Sequence, residues 1–586
     1  MSNMGMPINE IPGRKSNYDK RPYVPVGSSA ECSIGWDNVI RQIKRTGARV
    51  VVIEAYAGVK QKDLEFVANG LLPDVAIDAS EALKPQSQIE AMLGPELTDD
   101  RVFGSITRFG LEDMFEGSRL AEMARRVSDT RGTVVVYGVG ASLIVRGDLL
   151  VYADMPRWET QLRQRRNEVA NIGSSNFNDP SSLQYKRSFF VDWRMCDRLK
   201  KELLPKIDLV LDTTVDSQPK MISGKVLTRA LSSVAKRPFR VVPYFDPAPW
   251  GGEWIRTVCD LDKETVNYGW CFDCVPEENS LLLGFGDQRF EIPASDLVFM
   301  EPKDLLGQSV FDRFGDEFPI RFDFLDTMRG GNLSLQVHPS TAYIKDHFGI
   351  DYTQDESYYL LDAGASASVY LGLKEDVDRE AMARDLRLAE GGGFSFPTEN
   401  YINRFPAKKH DHFLIPAGTV HCSGAESMVL EISATPYIFT FKLWDWDRLG
   451  LDGRPRPIHL DHGLANIDWD RDTRYAKREL INQVIQVAEG EGWIEERTGL
   501  HEAEFIDTRR HWFTGTAPHN KGSGVNVLNL VEGEEAIVES PEGAFEPFEV
   551  HYAETFIVPA AVGPFQITSQ RNTRCATIKA SVRCEP

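Results

Sequence analysis

The stretch Gly331-Asn332-Leu333-Ser334-Leu335-Gln336-Val337-His338-Pro339 decides how this chain is read. Leu333, Leu335 and Val337 alternate with Ser334, Gln336 and His338, the period-two pattern of a strand with one face toward a core. Gln336 and His338, two residues apart, point the same way and can share one metal ion. Downstream, Glu356 sits in Asp355-Glu356-Ser357-Tyr358-Tyr359, and His421 closes Ile415-Pro416-Ala417-Gly418-Thr419-Val420-His421. One amide oxygen, two imidazoles and one carboxylate make a mixed nitrogen and oxygen set. It suits zinc or a similar divalent ion, with a position left for water or substrate.

The whole chain bounds the reading. At 586 residues it is too long for one core. A net charge of -21, with no basic run long enough to neutralise phosphates, argues against nucleic acid as a partner. No run of about 18 apolar residues occurs, so no membrane span is expected. Met1 to Pro25 is polar and punctuated by Pro and Gly, without an apolar signal core, and reads as a loose tail. The eight cysteines form no framework, which fits a reducing cytoplasm; Cys271 and Cys274, the only C-x-x-C, read as structural thiols. All eleven histidines lie at or after His338, so the first 337 residues cannot host a histidine-dependent site.

Four segments follow: a loose tail over 1–30, an α/β domain over 31–235, a metal-binding β domain over 236–465 and a smaller β domain over 466–586. In the second, Ala48–Glu54, Val75–Asp78, Gly132–Tyr137, Asp148–Ala153 and Asp208–Asp212 are short apolar runs separated by helical stretches. That alternation predicts a mainly parallel sheet. A phosphate loop would sit after the first strand, but only Gly58 and Lys60 or Lys62 are present, and Gln61 or Asp63 stands where a hydroxyl is wanted. The layout, with Asp148–Asp154 followed by Arg163-Gln164-Arg165-Arg166-Asn167, resembles a degenerate member of the uridine-kinase-like branch of P-loop kinases. That resemblance implies a scaffold or regulatory domain without kinase activity.

From Arg237 the texture changes to short strands and turns, Leu281–Gly286, Arg289–Ile292, Tyr358–Leu361, Ser368–Leu371, His412–Ile415, Met428–Ile432 and Phe439–Leu443 among them. A jelly roll fits best, with Arg379 to Leu388 as a helical insertion. Here Pro416-Ala417-Gly418-Thr419-Val420-His421 matches the second cupin motif. The Gln336 stretch is similar to the signature strand of type I mannose-6-phosphate isomerases, as are Trp250-Gly251-Gly252, Phe318-Pro319, Glu356 with Tyr358-Tyr359, and Leu430-Glu431-Ile432. The resemblance runs from about Arg237 to the C-terminus. It implies a double cupin in which Gln336, His338, Glu356 and His421 bind one zinc per chain. It also implies an enzyme interconverting mannose 6-phosphate and fructose 6-phosphate through a metal-stabilised cis-enediol. His410 and His412 are expected on a polar surface turn, and His459 and His462 on a later loop.

An aldose–ketose isomerase needs a base near the carbon and a cation or acid near the oxygens. Glu431 and Lys442 are the candidates, and Arg404, Lys408 and Lys409 are available for the phosphate of a sugar phosphate. Two departures from the family matter. Thr440-Phe441-Lys442 stands where the family has an active-site arginine, and lysine lacks the planar fork. Gln354-Asp355 precede Glu356 where the family has a lysine, with Lys345 the nearest alternative. These departures leave a rival: a metal-binding cupin without isomerase activity that senses a sugar phosphate or a nucleotide. In the last segment Tyr475 to Ala488 reads as helical. Val525–Leu530, Glu535–Val538, Glu554–Pro559 and Ala576–Val582 read as strands of a second cupin without a metal, since His551 stands alone there.

Overall fold

Val50, Val51, Val52 and Ile53 are all buried, the mark of a strand covered on both faces. In the computed structural model, which describes residues 16–434, 439–499, 501, 503–519, 524–571 and 573–583, this strand (Val50–Ala55) is central to a seven-stranded sheet. Its order is Ser33–Ile34, Lys220–Ser223, Leu209–Asp212, Leu149–Asp154, Val50–Ala55, Val134–Gly138, Val75–Asp78. The last five run parallel, and the first two pair antiparallel. The parallel α/β layer read from the alternation is present. At the position of the expected phosphate loop, Lys60 Nζ is held by Asp216 at 2.7 Å and Glu168 at 2.9 Å. Gly58 faces the Thr160 side chain so closely that an added Cβ would lie 2.4 Å from its hydroxyl. The chain's own side chains therefore fill that loop.

The remainder is mostly β. One antiparallel sheet has the order His412–Ile415, Glu356–Ala363, Ser427–Ser433, Arg321–Asp326, Trp270–Cys274, Tyr244–Asp246. A second has the order Ile402–Pro406, Ser368–Leu373, His421–Ser423, Leu335–Val337, Phe441–Trp444. Leu335–Val337 is short but completely buried, and its central Gln336 pairs with His421 on one side and Lys442 on the other. The helix Arg379–Glu390 forms the expected insertion. Toward the C-terminus a six-stranded and a four-stranded antiparallel sheet follow, with Asn526–Glu532, Glu535–Glu539, Thr555–Val558 and Cys575–Val582 among their strands. Among the described residues no helix is long and apolar enough to cross a membrane. Cys271 and Cys274 are free, buried thiols, and desolvation pushes both well above the ordinary thiol range, which leaves them unreactive.

Three expectations need correction. Of the tail over 1–30, residues 1–15 lie outside the described residues, but Tyr23–Gly27 is a strand running parallel to Ser280–Phe285. Val24 is buried there, and Ser16 Oγ donates to Val258 O at 2.6 Å, so a stretch that looked polar is tied down by distant partners. Tyr475 to Ala488 is not one helix: a short helical turn ends at Leu480, and Ile485–Gly490 is an edge strand paired with Trp493–Gly499. Its apolar residues fit either period, and pairing decided the outcome. His412 is not on the surface but fully buried in its strand opposite Tyr359, although His410, in the left-handed region, does sit on the turn before it.

Burial first, and Arg510 second, hold the His412 imidazole down to about 3, so it is neutral in the fold. An unfolded chain protonates it near its ordinary value of about 6.5. Its contribution to stability is therefore intact above about 6.5 and falls as the pH drops toward 3. His412→Leu is expected to lessen the acid-induced loss of stability in that window by up to about 5 kcal/mol, read from denaturant titrations at stepped pH. Parallel curves for both proteins would show that this imidazole does not carry the acid sensitivity.

Candidate metal centre and its cavity

His338, at the end of the Leu335–Val337 strand, and His421, at the start of its neighbour, reach the interior from one sheet, and Glu356 opens a strand of the other. Their donor atoms lie within 4.8 Å of one another, and all three side chains are buried. Each imidazole uses Nδ1 on a backbone carbonyl: His338 on Phe439 O at 2.8 Å, His421 on Thr419 O at 2.8 Å. A carbonyl can only accept, so Nδ1 carries the proton and Nε2 presents a lone pair. Both Nε2 atoms face the Glu356 carboxylate, at 3.2 and 2.8 Å. Acceptors thus confront an acceptor in a dry interior, and His338 Nε2 and Glu356 Oε1 have no hydrogen-bond partner among the described residues. A cation among them resolves that conflict, and the residues fit a divalent metal ion.

Gln336 joins from the same sheet, its amide 3.1 Å from His421 Nε2 and its other terminal atom 3.2 Å from Ser334 Oγ. Turning the amide over, which leaves its shape unchanged, presents Oε1 toward the cluster. Gln354 Nε2 donates to Glu356 Oε2 at 3.0 Å, and Asp355 Oδ1 accepts Ala417 N at 2.8 Å, bracing the turn that leads to His421. No cation stands before Glu356: Lys345 is exposed and paired with Asp351 at 2.9 Å.

Beside the cluster lies a cavity of ≈ 190 Å³ whose lining includes Gln336, Gln354, Glu431, Lys442, Arg321 and Arg456. Lys442 is half-buried and forms no ion pair among the described residues. Burial first, and Arg456 second, push its ammonium down to about 7, against the pull of Asp445 and Asp100. Glu431 accepts Ser433 Oγ at 2.9 Å; burial, then Glu356 and Asp323, push its carboxyl well above the ordinary range despite Arg321. Glu431 and Lys442 thus line the same cavity as Gln336 and Gln354, which contact His421 and Glu356 of the cluster.

The basic residues named for a phosphate do not. Arg404 faces outward on its strand with Nε on Ser368 Oγ, Lys409 is paired with Glu532 at 2.5 Å, and Lys408 sits on the same exposed turn. None lines this cavity, because the strand alternation that buries Asn403 turns Arg404 away. The cations that do line it, Arg321 and Arg456, come from segments without a motif. Arg321 pairs with Asp323, and Arg456 shares Asp445 with Arg448. His459 is buried against Phe103, and His462 accepts from or donates to the Tyr343 hydroxyl at 2.7 Å; both pack rather than lie free on a loop.

Facing antiparallel sheets with His338, Glu356 and His421 between them are consistent with a cupin-like domain that holds a metal ion. Comparison with known proteins adds a relationship. Residues 35–236 match a domain family described as a domain of unknown function (DUF8485). The mannose-6-phosphate isomerase of Streptococcus mutans is 27% identical over 218 residues, 37% of this chain and 63% of that enzyme. Mannose-6-phosphate isomerase ManA of Bacillus subtilis is 24% identical over 255 residues, 43% of this chain and 73% of the enzyme. This chain thus spans less than two thirds of the first enzyme's length. The crystal structure of a Bacillus subtilis mannose 6-phosphate isomerase aligns with 59% of this chain and 100% of its own at 18% identity and a TM-score of 0.47. A zinc-bound mannose 6-phosphate isomerase aligns with 59% of this chain and 100% of its own at 14% identity and a TM-score of 0.45. The chain is homologous to mannose-6-phosphate isomerases.

His338→Ala and His421→Ala are each expected to lower bound metal at least tenfold, measured by elemental analysis after dialysis, with the α/β half still protease-resistant. Stoichiometric metal in both variants would remove these histidines from the ligand set.

Proposed function

We propose that this protein is a metal-dependent aldose–ketose isomerase that interconverts mannose 6-phosphate and fructose 6-phosphate, with zinc as its ion. One observation carries the reading: the buried His338, Glu356 and His421 cluster adjoins a cavity lined by a carboxyl group, Glu431, and an amine, Lys442, that forms no ion pair among the described residues. His338, Glu356 and His421, with Gln336, would hold the ion. When bound, it polarises the sugar carbonyl and supports the charge that develops on oxygen.

The chain's own groups do the rest. Glu431 takes the proton from C2 of the open-chain aldose and returns it to C1 through a cis-enediol, while the O2 hydroxyl proton passes to O1 by way of Lys442 Nζ; Ser433 and Gln354 orient the Glu431 carboxyl group. Lys442 Nζ bonds the substrate oxygens from the opposite strand edge, where its partner across the ladder is Gln336. Arg456 adds positive charge for a phosphorylated sugar. The sheet strands around them exclude water, which strengthens each of these charged contacts. The α/β half takes no part in phosphoryl transfer in this reading, since the Lys60 charge is engaged by Asp216 and Glu168. Lysine in place of the family's arginine, and no cation before Glu356, favour the second reading, a metal-binding cupin that senses a sugar phosphate without turnover.

A coupled assay of zinc-loaded protein with mannose 6-phosphate is expected to show turnover that a chelator abolishes and zinc restores. Full metal occupancy without turnover would sink the isomerase reading in favour of sensing. Lys442→Ala is expected to keep its metal and lose about 10²-fold or more in kcat; an unchanged kcat would take Lys442 out of the mechanism.

A further inference from the structure

The cavity beside the metal cluster is not built by the β half alone. Val102, Phe103 and Tyr185 line it together with Gln336, Glu431 and Lys442, and all three belong to the stretch that matches the domain of unknown function. Phe103 is almost completely buried. Its ring lies 5.2 Å from Phe439, 5.3 Å from Phe441, 5.6 Å from Phe348 and 4.8 Å from His459. Phe439 supplies the carbonyl that orients His338, and Phe441 precedes Lys442. Phe103 therefore packs on Phe439, which orients His338 of the metal cluster, and on Phe441, the neighbour of Lys442.

The turn that presents Phe103 is braced from both halves. Asp100 Oδ1 accepts the backbone N–H groups of Val102 at 2.6 Å and Phe103 at 2.7 Å, and Thr98 Oγ1 donates to Phe103 O at 2.9 Å. Lys186 Nζ donates to Asp100 O, and the Asp100 carboxylate lies 3.8 Å from His459 Nε2. Two residues further on, Ser105 Oγ donates to His347 O at 3.0 Å and Ile106 N to Phe348 O at 3.0 Å. Tyr185, on the helix Ser181–Arg187, is anchored through its hydroxyl to Glu278 Oε1 at 2.6 Å. So many cross-links to two separate parts of the chain make a fixed wall, not a mobile flap.

We propose that Phe103, with Val102 and Tyr185, is the specificity-determining wall of the sugar-phosphate cavity, so that the domain of unknown function completes the isomerase site. This rests on the cavity being the substrate site proposed above. The wall adds an apolar surface to a cavity that Lys442, Glu431 and Gln336 line with polar groups. Such a cavity admits a compact, unsubstituted open-chain sugar phosphate that lays its carbon backbone against Phe103 and its oxygens toward the polar groups. A bulkier ligand, such as a nucleotide sugar, meets the Phe103 ring.

Two readouts test this separately from the reaction. Lys442 can be labelled by cyanate, which is small, and by trinitrobenzenesulfonate, which is large, with modification at that residue followed by mass spectrometry. In the zinc-loaded wild type the large reagent is expected to label Lys442 at least tenfold more slowly than cyanate does. Phe103→Ala is expected to narrow that gap to about threefold or less, and Phe103→Leu, which retains apolar bulk and protects against a folding failure, to restore most of it. A gap unchanged in both variants would overturn the proposal whether or not the protein turns over any sugar. With mannose 6-phosphate as substrate, Phe103→Ala is expected to raise KM about tenfold with kcat within threefold, at full metal content. An unchanged KM in a wild type that is active would also overturn it, whereas an inactive wild type with the labelling pattern intact would count against the reaction and in favour of the wall.

Discussion

Two imidazole lone pairs and a carboxylate meet in the dry space between two sheets, and much of the β half is arranged to keep them there. The carbonyls of Phe439 and Thr419 hold the imidazoles in one tautomer, and Gln354 holds one carboxylate oxygen. Left alone, such a grouping opposes folding, since buried acceptors without donors are costly. A cation turns the same geometry into a tie between the sheets: His338 and His421 come from one and Glu356 from the other. Metal binding and closure of the barrel are then one event, and the ion stabilises the fold in proportion to its affinity.

The α/β half is attached by similar logic. Arg157, buried in that half, pairs with Glu277 at 2.7 Å as well as with Asp197. Lys200, also buried, reaches Asp154 in its own half and Asp296 beyond it. Separating the halves would break the Arg157–Glu277 and Lys200–Asp296 pairs, while each cation kept one partner in its own half. With the Phe103 turn wedged against Phe439 and Phe441, the two halves form one packed structure around the cavity rather than two beads on a string. A domain whose Lys60 is tied up by Asp216 and Glu168 can then serve the site through its shape alone.

His551 does not stand alone as its sequence suggested: with Glu535 and Glu549 it forms a second, partly exposed group of side chains that could hold a metal ion. His551 is held by Glu549 and Glu554, and His511 and His519 pack against each other at a tilt with their ring centroids 4.0 Å apart. Desolvation pushes both His511 and His519 below the ordinary imidazole value, so they behave as neutral packing groups. The Q-x-H and P-x-G-x-x-H segments supply donors to a fully buried cluster, whereas the C-terminal group lies nearer the surface.

What the sequence determined by itself was local and periodic. Alternation placed Gln336 on one face of a strand, the Pro416 and Gly418 turn aimed His421, and the run Val50–Ile53 announced a strand covered on both sides. Glu356, Glu431 and Lys442 could be named because each sits in a recognisable strand. Other features depended on partners far along the chain. His412 and Arg404 differ in burial because of strand pairing, Tyr23–Gly27 became a strand because Ser280–Phe285 offered an edge, and Ile485–Gly490 took the strand period over the helical one. Phe103 carries no local signal at all: it lies more than 200 residues from the strand it packs against. Side-chain periodicity is written in neighbouring residues, whereas a cavity wall is set by which distant surfaces meet, and only the tertiary structure decides that.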